Sequence, residues 1–257
     1  MPSVKALSSR DNPLLARLRK LVTDPAAYRK LGELWIEGDH LCRAFLARGG
    51  VVAQAVITED AWHRPALREL AEVAEAVAVV PAGLMVGLST LESPAPIAFA
   101  VNWAGRGDIL PGQPAVVLDR LQDAGNVGAI VRSAAAFGMA QVIALKGTAA
   151  LWSPKVLRAG MGAHFGLHLV ESVDEASLAA LEVPLLATSS HAVASLDQVK
   201  LPWPCGWVLG HEGQGVSDAL LKRCAQALRI PQPGGEESLN VAAAAAVCLY
   251  ESARQRN

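Results

Sequence analysis

From Ala115 onward, short, unbroken apolar runs alternate with helical stretches, and this alternation restricts the fold more than any other feature of the chain. Strands are predicted at Ala115–Leu118, Gln141–Leu145, Gly166–Val170, Leu185–Thr188, Trp207–Leu209 and Ala227–Ile230. Between them the spacing predicts helices at Gly125–Phe137, Pro154–Ala159, Val173–Leu181 and Val216–Arg223, with an Ala-rich helix from Ser238 to Arg254 at the end. Strands that are apolar throughout, rather than at every second position, are buried on both faces. Interleaved with helices, they imply a parallel sheet with helices on both sides. Such sheets bind ligands beyond the carboxyl ends of their strands. Three loops fall there and carry unusual residues: Asp119 to Asn126, Gly210 to Gly215, and Ile230 to Val241.

The first hundred residues read as a smaller α/β unit. Strands are expected at Leu34–Glu37, Val51–Thr58, Ala76–Val80 and Ile97–Val101, and helices at Gly38–Arg48 and Pro65–Ala74. The segment 102–114 is rich in Gly and Pro in its second half and is expected to link two domains, 1–101 and 115–257. The net charge of −1 is uninformative, but residues 1–48 hold nine basic and five acidic side chains. Residues 12–22 form an amphipathic basic helix, which makes Arg10, Arg17, Arg19 and Lys20 candidate phosphate contacts. A solvated helix face is the plain alternative.

A hydrophobic fraction of 52% with 18% charged residues implies a large core and argues against disorder. No apolar run has the length of a membrane span, and the N-terminus lacks the apolar core of a signal peptide. The four cysteines are scattered, with no CxxC and no Cys/His cluster. Neither a metal site nor a disulfide framework is expected, and reduced thiols fit a cytoplasmic protein.

The loop Ile230-Pro231-Gln232-Pro233-Gly234 runs into the last helix, with Ser238 as the expected N-cap. Its prolines stiffen it, and its main-chain groups could clasp a flat, neutral ligand. Arg132 lies six residues beyond Asn126 on an otherwise apolar helix and needs an anionic partner. An ion pair with Asp119 or Asp123 would be a purely structural answer. The loop Leu209-Gly210-His211-Glu212-Gly213-Gln214-Gly215 holds a single acid. Its GxG lacks the third glycine of a dinucleotide fingerprint, which weakens a nicotinamide oxidoreductase reading.

The ordered series NxGxxxR, LGxExxG and IPxxGxxxSLNV resembles the three signature motifs of the SpoU/TrmH family of RNA 2′-O-methyltransferases, in the SPOUT superfamily. The residues that carry it are Asn126, Gly128 and Arg132; Leu209, Gly210, Glu212 and Gly215; and Ile230, Pro231, Gly234, Ser238, Leu239, Asn240 and Val241. Two positions depart from the family: Gln232 stands where Met is usual, and Ala242 where Ser is common. The resemblance implies a parallel-sheet domain with a deep trefoil knot, preceded by a smaller α/β domain similar to the L30e-like RNA-binding fold. It implies S-adenosylmethionine as cofactor, held by Leu209, Gly210, Ile230, Pro231 and Leu239. It also implies a catalytic set of Arg132, Asn126, Glu212, Ser238 and Asn240. The implied substrate is RNA, with ribosomal RNA ahead of transfer RNA, and the implied assembly a homodimer without metal or membrane. A non-enzymatic RNA-binding assembly factor of the same fold is the competing reading.

Overall fold

The computed structural model describes residues 2–234 and 239–256. It falls into two compact units: Met1–Gly105 with Trp152–Phe165, and Arg106–Leu151 with Gly166–Asn257.

In the first unit, strands β1 (Ser3–Ala6), β2 (Glu33–Glu37), β3 (Gln54–Thr58), β4 (Ala76–Val80) and β5 (Ile97–Asn102) form one sheet in the order β1-β4-β3-β5-β2. The β1, β4 and β3 strands are parallel, while β5 runs antiparallel to both β3 and β2. Helix α1 (Pro13–Thr23) starts where expected. Asn12 caps it by accepting from the Leu14 N–H at 2.9 Å, and Pro13 fills a first-turn position that needs no donor. Leu15, Leu18, Leu21 and Val22 form its buried stripe. The unit's other helices are α2 (Ala27–Leu31), α3 (Asp39–Leu46), α4 (Glu59–Trp62), α5 (Pro65–Ala71) and α6 (Ala82–Val86). Strand β1 escapes a periodicity reading because all four of its residues are exposed at the sheet edge.

The segment 152–165 groups with this first unit, although in sequence it lies far beyond 102–114. The buried Glu37 carboxylate explains it: it accepts from the Ala95 N–H at 3.2 Å and the Ser89 hydroxyl at 2.5 Å, and pairs with Arg158 at 3.4 Å. Phe165 meets Phe45 edge-on. A buried carboxylate and an aromatic pair draw in a segment that linear composition assigns elsewhere.

The second unit is one parallel sheet of β6 (Ala115–Leu118), β7 (Gln141–Leu145), β8 (His168–Val173), β9 (Leu185–Thr188), β10 (Gly206–Leu209) and β11 (Gln226–Leu228). Its order is β11-β9-β10-β6-β7-β8. Helix α7 (Ala124–Ala136) follows β6, α8 (Pro154–Gly160) belongs to the first unit, and α9 (Asp218–Leu221) and α10 (Val241–Arg256) close the chain. Val117, Ile143, Val170, Ala187 and Val208 share one core with Leu178, Leu181 and Leu220. Glu175–Leu181, expected as an α-helix, is a 3-10 helix. Its three-residue repeat stacks Leu178 and Leu181 into that core. On Trp207 of β10 the buried indole N–H donates to Ser252 of α10 at 2.8 Å.

The last helix begins at Val241, three residues later than predicted. Asn240 is its cap, with Oδ1 accepting from the Ala242 and Ala243 N–H groups at 2.9 and 3.3 Å. The expected cap, Ser238, lies outside the described residues. All four cysteines are free thiols. Burial pushes Cys205 and Cys224 up to about 11 and Cys248 up to about 12, so these sulfurs stay protonated and inert near neutrality.

Candidate functional site

Strands β6 and β10 end side by side. Leu118 is paired with Leu209, and the Asp119 N–H donates to the Leu209 carbonyl at 2.8 Å. From β6 the chain proceeds outward through β7 and β8, then returns to the other side to form β9 and β10. The β6/β10 junction is therefore a topological switch point, where loops leaving adjacent strands diverge and open a crevice.

Three side chains predicted from separate motifs meet at this end. Glu212 accepts from the main-chain N–H of Gln122 at 3.4 Å and of Asp123 at 3.2 Å, and from the Asn126 side-chain amide at 3.3 Å. The Asn126 amide oxygen in turn accepts from Asn240 at 3.0 Å. Asn126 thus joins the β10–α9 loop to the residue that caps α10. It holds this position because Asp123 caps α7, accepting the Asn126 N–H at 2.7 Å. Partial burial would raise the Glu212 pKa, but the backbone donors and the Asn126 amide outweigh it and hold the carboxyl below its ordinary range.

Arg132 lies exposed on α7, and among the described residues no carboxylate pairs with it. The structural ion pair is not formed, because the two acids that could make it are engaged elsewhere. Asp123 is the α7 cap. Asp119, 3% exposed, takes the Arg120 guanidinium at 2.9 and 3.3 Å and the Ser217 N–H at 2.8 Å. Burial works to raise the Asp119 pKa, and the Arg120 and Ser217 bonds more than reverse it. Arg132 is left as a cation facing solvent.

The residues expected to hold a cofactor divide by burial. Leu209 and Gly210 are buried, Ile230 is half-buried, and Pro231 and Leu239 are exposed, Leu239 by 41%. Gly210 admits no side chain: a Cβ there would lie 2.0 Å from the Val216 nitrogen and 2.1 Å from the Gly215 carbonyl carbon. The loop folds back this tightly because the Gly215 N–H donates to the His211 carbonyl at 2.8 Å with Gly215 at φ +69°. Gln232, in the next loop, is half-buried, and its amide oxygen is closed to water without a hydrogen-bond partner among the described residues. Ser238 lies outside the described residues. Arg10, Lys20 and Arg17 are exposed, but Arg17 is paired with Glu33 at 3.1 Å, and Arg19 bonds the carbonyls of Leu15 and Arg10.

Sequence reasoning treated Asp119 only as a partner for Arg132 and passed over Arg120. Arg120 adopts φ +60°, a left-handed conformation that costs a non-glycine residue about 1 kcal/mol or more. It is held there by Asp119, by its N–H to Thr148 at 3.1 Å and by contact with Gln214 at 3.4 Å. An acid directly after an apolar strand, followed by a base, was the available signal. Among the described residues no His/Cys/Asp/Glu cluster suits a metal, and no helix is long and apolar enough to cross a membrane.

Fold and site define an α/β protein whose polar constellation of Asn126, Glu212 and Asn240 sits at the switch point of a parallel sheet, with Arg132 exposed further along the helix that carries Asn126. Residues 113–250 match the model of the SpoU rRNA Methylase family, and the chain belongs to that family. An uncharacterised tRNA/rRNA methyltransferase of Synechocystis is 31% identical over 98% of this chain and 95% of its own length. The 23S rRNA (guanosine(2553)-2′-O)-methyltransferase of Bacillus subtilis is 29% identical over 96% of this chain and 98% of its own. A SpoU methyltransferase from Streptomyces viridochromogenes, solved with S-adenosylmethionine, superposes with a TM-score of 0.86 at 24% identity, covering 95% of this chain and 98% of that one.

Proposed function

We propose that this chain transfers a methyl group from S-adenosylmethionine to a ribose 2′-hydroxyl of RNA, with ribosomal RNA as the first candidate substrate and transfer RNA as the second. The observation that carries the reading is the meeting of Asn126, Glu212 and Asn240, from three separate motifs, with Arg132 further along the Asn126 helix and, among the described residues, paired with no carboxylate. The activity named for the similar 23S rRNA 2′-O-methyltransferase of Bacillus subtilis supports it.

The residues present suit the cofactor. The 230–234 loop is stiffened by two prolines, and Ile230 and Leu239 offer apolar surface. Leu209, Gly210, Ile230, Pro231 and Leu239 would hold it, mainly through main-chain groups. When bound, it supplies a methyl already activated on a sulfonium. The protein's task is then to position the ribose oxygen and manage its charge. A guanidinium is a poor general base, so the role given to Arg132 is to clamp a flanking phosphate or stabilise negative charge growing on the ribose oxygen. Glu212, held ionised by its donors, orients Asn126, and Asn126 with Asn240 fixes the ribose. Ser238 completes the set in this reading. Arg132→Ala should abolish methyl transfer and leave S-adenosylmethionine affinity, read by calorimetry, within about twofold. Near-full activity in that variant would refute the role. Failure of the wild-type chain to bind the cofactor would point instead to a non-enzymatic RNA-binding factor.

The remaining expectations belong to the same reading. The first unit would bind the RNA as an L30e-like domain, with Arg10 and Lys20 better placed than the ion-paired Arg17 and than Arg19, whose guanidinium bonds two carbonyls. The second would carry a trefoil knot. This is supported by the path from edge strand β11 to α10, which packs back against α7 and the central β10. A cytoplasmic homodimer would form over α10, where Val247 and Tyr250 are 40% and 55% exposed on one face and Phe137 meets Tyr250 edge-on.

A further inference from the structure

We infer that Arg120 is a phosphate contact of the crevice, the outer edge of its guanidinium donating to a backbone phosphodiester of the RNA. This rests on the RNA methyltransferase reading above.

The first observation is a side chain held where the backbone disfavours one. Arg120 adopts φ +60°, a conformation that glycine takes freely and other residues take at a cost. Three loops fix it there. Its N–H donates to the Thr148 hydroxyl at 3.1 Å, in the loop after β7. A Cβ on Gly147, at φ +90°, would lie 3.3 Å from the Arg120 Cγ, so the stem rests against bare backbone. Asp119, buried just past β6, takes Nε at 2.9 Å and Nη2 at 3.3 Å. That carboxylate is itself tied to the β10 loop, accepting the Ser217 N–H at 2.8 Å.

The second observation is which donors remain. Asp119 occupies one edge of the planar guanidinium, formed by Nε and Nη2. One hydrogen on Nη2 and two on Nη1 point away from that carboxylate. Gln214 accepts from Nη1 at 3.4 Å, a long bond between exposed groups, and among the described residues nothing else accepts from this edge. The Arg120 side chain is 37% exposed. Gln214 belongs to the loop whose Glu212 bonds Asn126, so the free edge lies at the β6/β10 crevice.

Two coplanar donors on one edge match two oxygens of a phosphodiester. Little ordering is left to be done on binding, because the plane is already fixed. Asp119 offsets part of the cation's charge, so the edge selects by direction as well as by attraction. Gln214, weakly bonded, gives way to the charged acceptor.

The test uses the double variant Asp119→Asn/Arg120→Gly. It leaves the net charge unchanged, keeps an acceptor for the Ser217 N–H and places glycine at the positive φ. Steady-state methyl transfer to ribosomal RNA from cells lacking this protein is followed across salt concentrations. The KM for RNA should rise about tenfold, the loss of a hydrogen-bonded charge contact. The slope of log KM against log salt should flatten by about 0.7–0.9, the share of one phosphate. S-adenosylmethionine affinity, read by calorimetry, should stay the same. Gln214→Ala, which frees the edge and spares the ion pair, should leave the KM equal or lower. A purely structural pair would lower kcat and the urea midpoint and leave the salt slope as it is; an unchanged slope overturns the assignment. A fall in cofactor affinity with that slope unchanged would give Arg120 to the cofactor carboxylate instead. A KM raised as far in Gln214→Ala as in the double variant would also overturn it. A wild-type chain that transfers no methyl group overturns the methyltransferase reading, and this assignment with it.

Discussion

Asn126→Ala separates the positioning of the site from its folding, because the structure allows both costs to be worked out. The substitution removes one hydrogen bond of 3.3 Å to Glu212 and one of 3.0 Å from Asn240. Both lie in solvent-exposed surroundings, where each contributes about 0.5–1 kcal/mol net. Glu212 keeps the Gln122 and Asp123 N–H groups, so no charge is orphaned. Asn240 still caps α10 through Ala242 and Ala243. Within the first turn of α7, alanine recovers about 0.5 kcal/mol of helix propensity over asparagine. The net loss of stability should therefore be about 0.5–1.5 kcal/mol, by urea denaturation. Methyl transfer should fall far more, about tenfold to a hundredfold, because the three loops lose the amide that sets their spacing and misplacement of reacting groups by about 1 Å costs that much. The assay is single-turnover methyl transfer to ribosomal RNA from cells lacking this protein, run as a double-mutant cycle with Glu212→Ala. If Asn126 and Glu212 act as one unit, the double variant should be little worse than the more damaged single variant, a coupling of about 1.4–2.7 kcal/mol where each single variant loses tenfold to a hundredfold. Effects that simply add, to within about 0.3 kcal/mol, would refute the reasoning. So would a stability loss above about 2 kcal/mol.

Two further outcomes follow from buried polar groups. Asp119 has its folded pKa held below the ordinary carboxylate value, so the stability it contributes is present above about pH 4 and is lost as pH falls through its folded value. The urea midpoint of the wild-type chain should exceed that of Asp119→Asn at pH 7, by about 1–2 kcal/mol, and the gap should narrow below about pH 4; a gap that does not change with pH would be the wrong sign for this carboxylate. Ser252→Ala leaves the buried Trp207 indole N–H without an acceptor and should cost about 1–3 kcal/mol, whereas adding it to Trp207→Phe should cost much less; equal costs in both backgrounds would show that the bond contributes nothing.

Much of this molecule is legible from side-chain order. Unbroken apolar runs such as Ala115–Leu118 and Gln141–Leu145 coincide with strands β6 and β7, because a strand buried on both faces leaves no place for polar residues. The Asn12-Pro13 start of α1 is equally local, a cap and a first-turn proline acting on their own backbone. Asn126, Glu212 and Asn240 could be nominated because each stands in a loop at a strand end. Their mutual hydrogen bonds could not, since those depend on β10 lying beside β6 and on α10 returning to the centre of the sheet. Tertiary structure also decided the fate of charges. A sequence presents Asp119, Arg120, Asp123 and Arg132 as interchangeable partners. Only the register at Leu118 and Leu209, and the cap on α7, give Asp119 to Arg120 and Asp123 to the backbone, so that among the described residues no carboxylate pairs with Arg132. The cap at Asn240 and the attachment of residues 152–165 through Arg158 to Glu37 have the same origin. Each depends on which atoms meet across long stretches of chain, and no local pattern encodes that. What the sequence determined alone was the class of architecture and the loops in which chemistry could lie. Which of those side chains are bound to one another, and which remain available to a ligand, was decided by packing.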